Sequence, residues 1–367
     1  MAVVLRVDGQ RWRAHLARTI AAHPGLVPVV KGNGYGFGLE LLVAECARLH
    51  GSAGVDMLAV GTYSEAPVAL AGFPGDVLVL EPYRPVLHRE ADKLASPSLV
   101  HTIASLDDLV DLTERVARPR VVLEGLTSMN RHGMPWEGLR EGLAAIAGPG
   151  STEDGATRPA GVDLGSVDLG SVDLVGVTLH LPLGAGHLAE VERWLARVDV
   201  PTWFVSHLSS DELAELRRRH PERAFRPRIG TSLWLGDADA LSVRGQVLDV
   251  RPVRAGDRAG YRRRRLKGGH LVVVSGGTAQ GVAMEAPTAA STPRQRVIAV
   301  AEGVLEAAGW VRSPFSLGGR GTWFVEPPHM QVSLISLPHG AVPPQVGDEV
   351  EVRVRHTTLH ADAVVIS

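Results

Sequence analysis

Cys46 is the only cysteine in 367 residues, so no disulfide closes within the chain and no multi-cysteine metal site is available. The sequence also lacks a charged-then-apolar opening and any apolar run that spans a bilayer, and a cytoplasmic protein without a membrane partner is the expectation. An excess of one charge sign is missing too. The net charge of −2 argues against general affinity for nucleic acid. The local exception, Arg262 to Arg265, is divided between two faces by strand alternation, so a solvated or interface edge is its expected meaning. What remains, 45% apolar and 21% charged residues, describes an ordinary globular chain, long enough for two domains.

From Leu26 to about Gly236, short apolar runs alternate with amphipathic segments. The strand-like runs are Leu26–Val30, Met57–Gly61, Val77–Glu81, Val100–Ala104, Arg120–Leu126, Leu174–Leu181, Trp203–Leu208 and Phe225–Trp234. Helical stretches such as Leu106–Arg115, His187–Arg197 and Asp211–Arg219 lie between them. The rhythm predicts an α/β fold, a parallel (β/α)8 TIM-type barrel over residues 1–240, although doubly wound sheets share it. Beyond it, Val247–Pro252, His270–Val274, Arg296–Ala301, Gln331–Ser336 and Glu349–Arg355 read as strands between Gly/Pro turns. Residues 241–367 are therefore expected to form a C-terminal all-β domain, which the opening run Val3–Val7 is free to join. A five-residue near-repeat from Gly161 to Val175 follows a Gly/Pro/Ser-rich segment, and residues 148–175 are expected to be a surface insertion.

The most informative stretch is Val29-Val30-Lys31-Gly32-Asn33-Gly34-Tyr35-Gly36-Phe37-Gly38. A short apolar strand delivers one lysine to a loop of alternating glycines. A cation at a buried strand end is costly unless paired or neutralised, and a lysine of lowered pKa is a nucleophile able to form a Schiff base. The glycines allow close backbone approach to a ligand, and Tyr35 offers a hydroxyl that suits a phosphate. A snorkelling lysine before a glycine turn is the plainer alternative.

This segment resembles the pyridoxal-phosphate lysine motif of alanine racemases, V-V-K-A-N-A-Y-G-H-G, with Gly32 and Gly34 for alanines and Phe37 for histidine. Further stretches resemble the family in the same order. Glu124 to Gly133 is similar to K-x-D-T-G-M-G-R-x-G, Gly176 to His180 to G-x-x-T-H, and Arg228 to Gly236 to R-x-G-I-A-x-Y-G. Ser206 to Ser210 ends the seventh barrel run, where barrels often bind phosphate, although Ser209 and Ser210 could equally cap the helix that follows. In the β domain, Ala259-Gly260-Tyr261 resembles V-S-Y-G, with Arg262 in place of glycine. His329-Met330-Gln331 resembles C-M-D, and His360 stands where a tyrosine is usual.

The resemblance implies pyridoxal 5'-phosphate held by Lys31, with Tyr35, Ser210, Gly230, Thr231 and His360 toward its phosphate. It implies His180 against the ring and Arg228 facing the pyridine nitrogen, which keeps that nitrogen unprotonated and the ring a weaker electron sink. Arg131 and the Met330 N–H would bind a substrate carboxylate, with Glu124 in place of a carbamylated lysine to orient Arg131. Lys31 and Tyr261 would be the two bases of a racemase for a small amino acid, alanine by default. Tyr261 and Met330 would come from the second subunit of a homodimer. Two other classes stay open: a cofactor-binding homologue that does not racemise, and a lyase such as a D-threonine aldolase-like enzyme. The latter would need a divalent metal, for which His356, His360 and Asp362 are the only grouped candidates in the β domain.

Overall fold

The computed structural model describes residues 3–90, 95–148, 169–284 and 311–367, with positions 292, 294, 296–298, 300 and 303 between the last two. Contacts divide the chain into two units. One comprises His15–Gly32 and Leu39–Gly236; the other comprises Met1–Ala14, Asn33–Gly38 and Asp237–Ser367. The hexapeptide after the key lysine therefore groups with the C-terminal unit, which residue spacing alone does not announce.

In chain order, β1 (Val4–Val7) and α1 (Gly9–Ala22) precede β2 (Val27–Pro28), α2 (Leu39–Ala53), β3 (Met57–Val60) and α3 (Ala66–Gly72). Then come β4 (Asp76–Pro82), β5 (Leu99–Ile103), α4 (Leu106–Arg115), β6 (Arg120–Gly125) and α5 (Trp136–Ala147). The series continues with β7 (Asp173–Leu179), α6 (His187–Leu195), β8 (Thr202–Val205), α7 (Ser210–Arg219), β9 (Ala224–Ile229) and α8 (Thr231–Trp234).

Strands β2 to β9 form one parallel eight-stranded sheet in sequence order, with β2 paired to β9. A Val29–Ala59 bridge joins β2 to β3, and the Val30 N–H donates to the Ala59 carbonyl at 2.7 Å, so the sheet closes. The expected parallel barrel is thus present. Its interior is apolar: Val29, Met57, Ala59, Leu78, Val100, Val122 and Phe204 are buried together on successive strands. Capping explains where two of the helices start. Ser105 Oγ accepts the Asp108 N–H at 3.2 Å at the head of α4, and Ser209 with Glu212 forms a reciprocal capping box on α7.

The second unit is a mostly antiparallel sheet. The 19-residue β10 (Leu241–Ala259) pairs in turn with β1, β15 (Glu349–Val352) and β11 (Arg264–Ser275). β12 (Arg312–Leu317), β13 (Arg320–Phe324) and β14 (Val332–Leu337) complete a ring from β15 back to β11. β1 pairs with β10 on one side and with β16 (Ala363–Ile366) on the other.

Two expectations need correction. The run Phe225–Trp234 is a strand only to Ile229: Gly230 turns the chain at φ −118°, ψ −82°, and Thr231–Trp234 is helical. This turn lets the Trp234 indole donate to the Val29 carbonyl at 2.8 Å. Of the run Arg296–Ala301, the described residues Arg296, Val297, Ile298 and Val300 are helical and exposed, not strand. The expected insertion lies mostly outside the described residues; its last three positions, from Asp173, already belong to β7.

His101, 1% exposed within β5, accepts from or donates to the Tyr63 hydroxyl at 3.0 Å. Burial, with nearby His88 adding repulsion, pushes its pKa down from 6.5 to about 4. The unfolded chain takes up this proton near pH 6.5 and the folded chain only near 4, so the contribution is complete above 6.5 and lost as pH falls toward 4. At pH 5 the loss amounts to about 2 kcal/mol, and His101→Gln should flatten that part of the melting-temperature profile of the apo protein between pH 7 and 5.

Candidate active site

Parallel barrels present ligands at the carboxyl ends of their strands, and the predicted barrel residues gather there. Lys31 follows β2, Glu124 lies near the end of β6, His180 follows β7, and Arg228 lies near the end of β9. Lys31 is exposed at the rim, yet desolvation there, followed by repulsion from Arg131 and Arg228, lowers its pKa, with Glu65 opposing. A lysine placed among fixed cations is more readily deprotonated and hence more nucleophilic.

Glu65 was not among the expected residues. Its carboxylate accepts the Gly32 N–H at 2.7 Å, the Gly61 N–H at 2.6 Å and the Thr62 N–H at 3.2 Å. It therefore ties the turn after Lys31 to the end of β3. The sequence signal was only a glutamate at the head of an apolar helix, which reads as a cap. His207, two residues beyond β8, is a further residue at this rim. It adopts φ +64°, costly for a residue with a Cβ, and its ring stands 5.4 Å from that of His180.

His180 is held by Ser206, whose Oγ lies 3.0 Å from its Nδ1, while the His180 carbonyl accepts from Thr127 Oγ1 at 2.5 Å. Burial, then Arg228, Arg131, His207 and Lys31, push its pKa down to about 3, so the imidazole is neutral at physiological pH. A neutral, fixed ring suits packing on an aromatic ligand.

Arg228 is 9% exposed and donates through one terminal nitrogen to the Leu179 carbonyl at 3.1 Å. Burial pushes its pKa down to about 10, Glu124 opposing and Arg131 adding. Its Nε has no hydrogen-bond partner, although buried. A fixed N–H donor without an acceptor in a barrel mouth fits a ring nitrogen, so this end of the site fits pyridoxal phosphate.

Glu124 is 3% exposed, and burial raises its pKa against the pull of Arg228, Arg131 and Arg84. Its Oε2 and the Oγ1 of Thr178, its register partner on β7, are also buried without partners. The expected Glu124–Arg131 pair is absent among the described ion pairs and hydrogen bonds, and Arg228 rather than Arg131 acts on Glu124 most strongly. Glu124 is buried while Arg131 is exposed, so a pair between them would have to join two different environments.

The residues expected toward a phosphate depart further from the family pattern. Ser210 Oγ lies 3.1 Å from His23 Nε2, and Ser209 is committed to its capping box. Gly230 and the exposed Thr231 open the short α8. Tyr35 and His360 belong to the other unit. There Asn33 donates to the carbonyls of His356 and Leu359 at 2.9 and 2.6 Å, and Tyr35 is buried with φ +55°.

Tyr261 and Met330 are both exposed on the β unit. Asp362 caps the Val3 N–H at 2.7 Å and accepts from Gln280 at 3.3 Å, a structural use. Among the described residues, no group of three His, Cys, Asp or Glu side chains is placed to hold a metal ion.

The fold and its rim define the class first: a closed parallel (β/α)8 barrel with a lysine after its first strand and an accompanying β domain. Residues 7–156 match the family model described as alanine racemase, N-terminal domain, and over that stretch the chain is similar to the family. The chain is similar in fold to the alanine racemase from Bartonella henselae described with covalently bound pyridoxal phosphate, at 18% identity and TM-score 0.66, covering 100% of both chains. It is similar to that of a D-cycloserine-producing Streptomyces lavendulae, at 19% identity and TM-score 0.65, covering 100% of this chain and 97% of that one. The biosynthetic alanine racemase from Pseudomonas aeruginosa matches at 19% identity and TM-score 0.62, covering 97% and 91%. A comparison with curated proteins gives no match. No described helix is long and apolar enough to cross a membrane.

Proposed function

We propose that this chain is a pyridoxal-phosphate-dependent racemase of a small amino acid, alanine by default, working as a homodimer. The observation that carries the reading is the convergence of Lys31, of lowered pKa, with the buried, partnerless Nε of Arg228 and the neutral ring of His180 at one barrel rim. Bound pyridoxal phosphate would supply the electron sink that acidifies the substrate Cα–H. Lys31 then takes or returns that proton on one face. Tyr261 of a second copy serves the opposite face, because one base alone returns the proton to the side it came from. Arg228 would face the ring nitrogen with its free Nε–H and favour its unprotonated form. Arg131 and the Met330 N–H, one from each copy, hold the substrate carboxylate, and Glu65 keeps the lysine turn in place.

Proton NMR in D2O, with each L- and D-amino acid and the cofactor-loaded protein, tests the proposal. Exchange of the Cα proton with inversion supports it and names the substrate. Exchange with retention leaves Lys31 as the sole base. The engagement of Ser209 and Ser210 elsewhere and the absent Glu124–Arg131 pair favour one second reading, a cofactor-binding homologue without turnover. That reading gains if the cofactor binds and no Cα–H exchanges. Tyr261→Phe should slow one direction of proton transfer by about 10²-fold or more, while partial reactions at the Lys31 face persist. Equal, small effects in both directions would reduce Tyr261 to structure.

A further inference from the structure

Tyr261 is 85% exposed, yet its turn is fixed from beneath by Glu326, which is only 5% exposed. One carboxylate oxygen accepts the Tyr261 N–H at 2.8 Å and the other the Arg262 N–H at 3.0 Å. Gly260, at φ +76°, makes this approach possible: a Cβ there would stand 2.1 Å from the carboxylate. The oxygen that receives the Tyr261 N–H also lies 2.6 Å from His329 Nε2. The His329 ring then packs on the phenol, with centroids 4.5 Å apart and planes tilted by 44°. A buried carboxylate is costly unless donors surround it, and these three contacts hold Glu326 in its charged form despite its burial. So a side chain that faces water is anchored at both its backbone and its ring.

We infer that Glu326 and His329 are positioning residues for Tyr261, holding its phenol as a preset proton acceptor and donor that projects from the β unit. The inference rests on the racemase reading for the reaction served, though the anchoring geometry stands without it. Proton transfer needs the phenol oxygen at a defined place, so a base carried on an exposed turn needs a device that fixes it. The ring of His329, itself tied to the Glu326 carboxylate and packed on the phenol, is such a device. Arg262 and Arg264 line a cavity of about 140 Å³ with Glu326 beside this turn.

The chain has four tyrosines, and Tyr35, Tyr63 and Tyr83 are 6% exposed or less. Carbon-13 labelling at tyrosine Cζ in the cofactor-loaded protein therefore reports Tyr261 as the resonance that disappears in Tyr261→Phe. At constant pH its chemical shift is expected to move in His329→Gln, which removes the ring packed on the phenol, and in Glu326→Gln, which removes the acceptor of its turn. His329→Gln keeps a donor toward Glu326, so it separates loss of the ring from loss of the turn. In that variant the proton-transfer direction served by Tyr261 should slow about tenfold with KM unchanged. An identical Tyr261 resonance in all three proteins overturns the inference, whether or not the protein racemises. A shifted resonance with the slowed direction supports it; if Cα exchange in that protein never inverts, the second-base reading fails while the positioning role survives.

Discussion

Lys31→Ala is expected to abolish the borohydride-reducible absorbance of lysine-bound pyridoxal altogether, and to reduce Cα–H exchange at least about 10³-fold. No other residue can take over. Lys31 is the lysine that β2 delivers to the barrel mouth, and the guanidiniums of Arg131 and Arg228 there cannot form the covalent link. The variant should fold like the parent, because the side chain is exposed and the Gly32 N–H that Glu65 holds belongs to the backbone. Survival of the chromophore in Lys31→Ala would end the assignment of this lysine and of the site with it. Glu65→Gln offers a graded companion. The carboxylate favours the charged ammonium, so its loss should lower the Lys31 pKa further while loosening the turn.

The barrel was legible because its signal is repeated: eight apolar runs in order, each followed by an amphipathic stretch or turn, leave few folds available. The rim residues were legible for a related reason. A lysine, a histidine and an arginine at apolar strand ends are each costly there, and their order along the chain matched one family. The chemistry that escaped lies in contacts between residues distant in sequence. Nothing around Glu65 says that its carboxylate reaches Gly32, 33 positions away, and nothing around Glu326 says that it holds the turn at Tyr261. The end of β9 was misread because Leu233 and Trp234 are apolar in either conformation. Only the turn at Gly230 decides for helix. The Glu124–Arg131 pairing was not legible, since similarity of motif carries charge logic but not burial: Glu124 is buried and Arg131 exposed.

Arg228→Leu should destabilise the apo protein by about 3 kcal/mol, because it leaves the Glu124 carboxylate buried without its strongest cation. Burial already raises the Glu124 pKa, and without Arg228 it would rise further. The loss should therefore shrink on acidification and grow as pH rises, opposite in direction to the effect of His101. Arg228→Leu combined with Glu124→Leu should recover most of the loss, since removing both of two buried charges that act on each other is far less costly than removing one. If the double variant is as unstable as the single one, the two groups are not coupled, and Arg228 matters only through its bond to the Leu179 carbonyl. Cofactor binding separates the two roles further. The stable double variant should still bind pyridoxal phosphate at Lys31 more weakly than the parent, because the partnerless Nε donor that fits the ring nitrogen is gone. Stability and ligand recognition thus draw on the same guanidinium at different nitrogens, the terminal one for the barrel and Nε for the ligand.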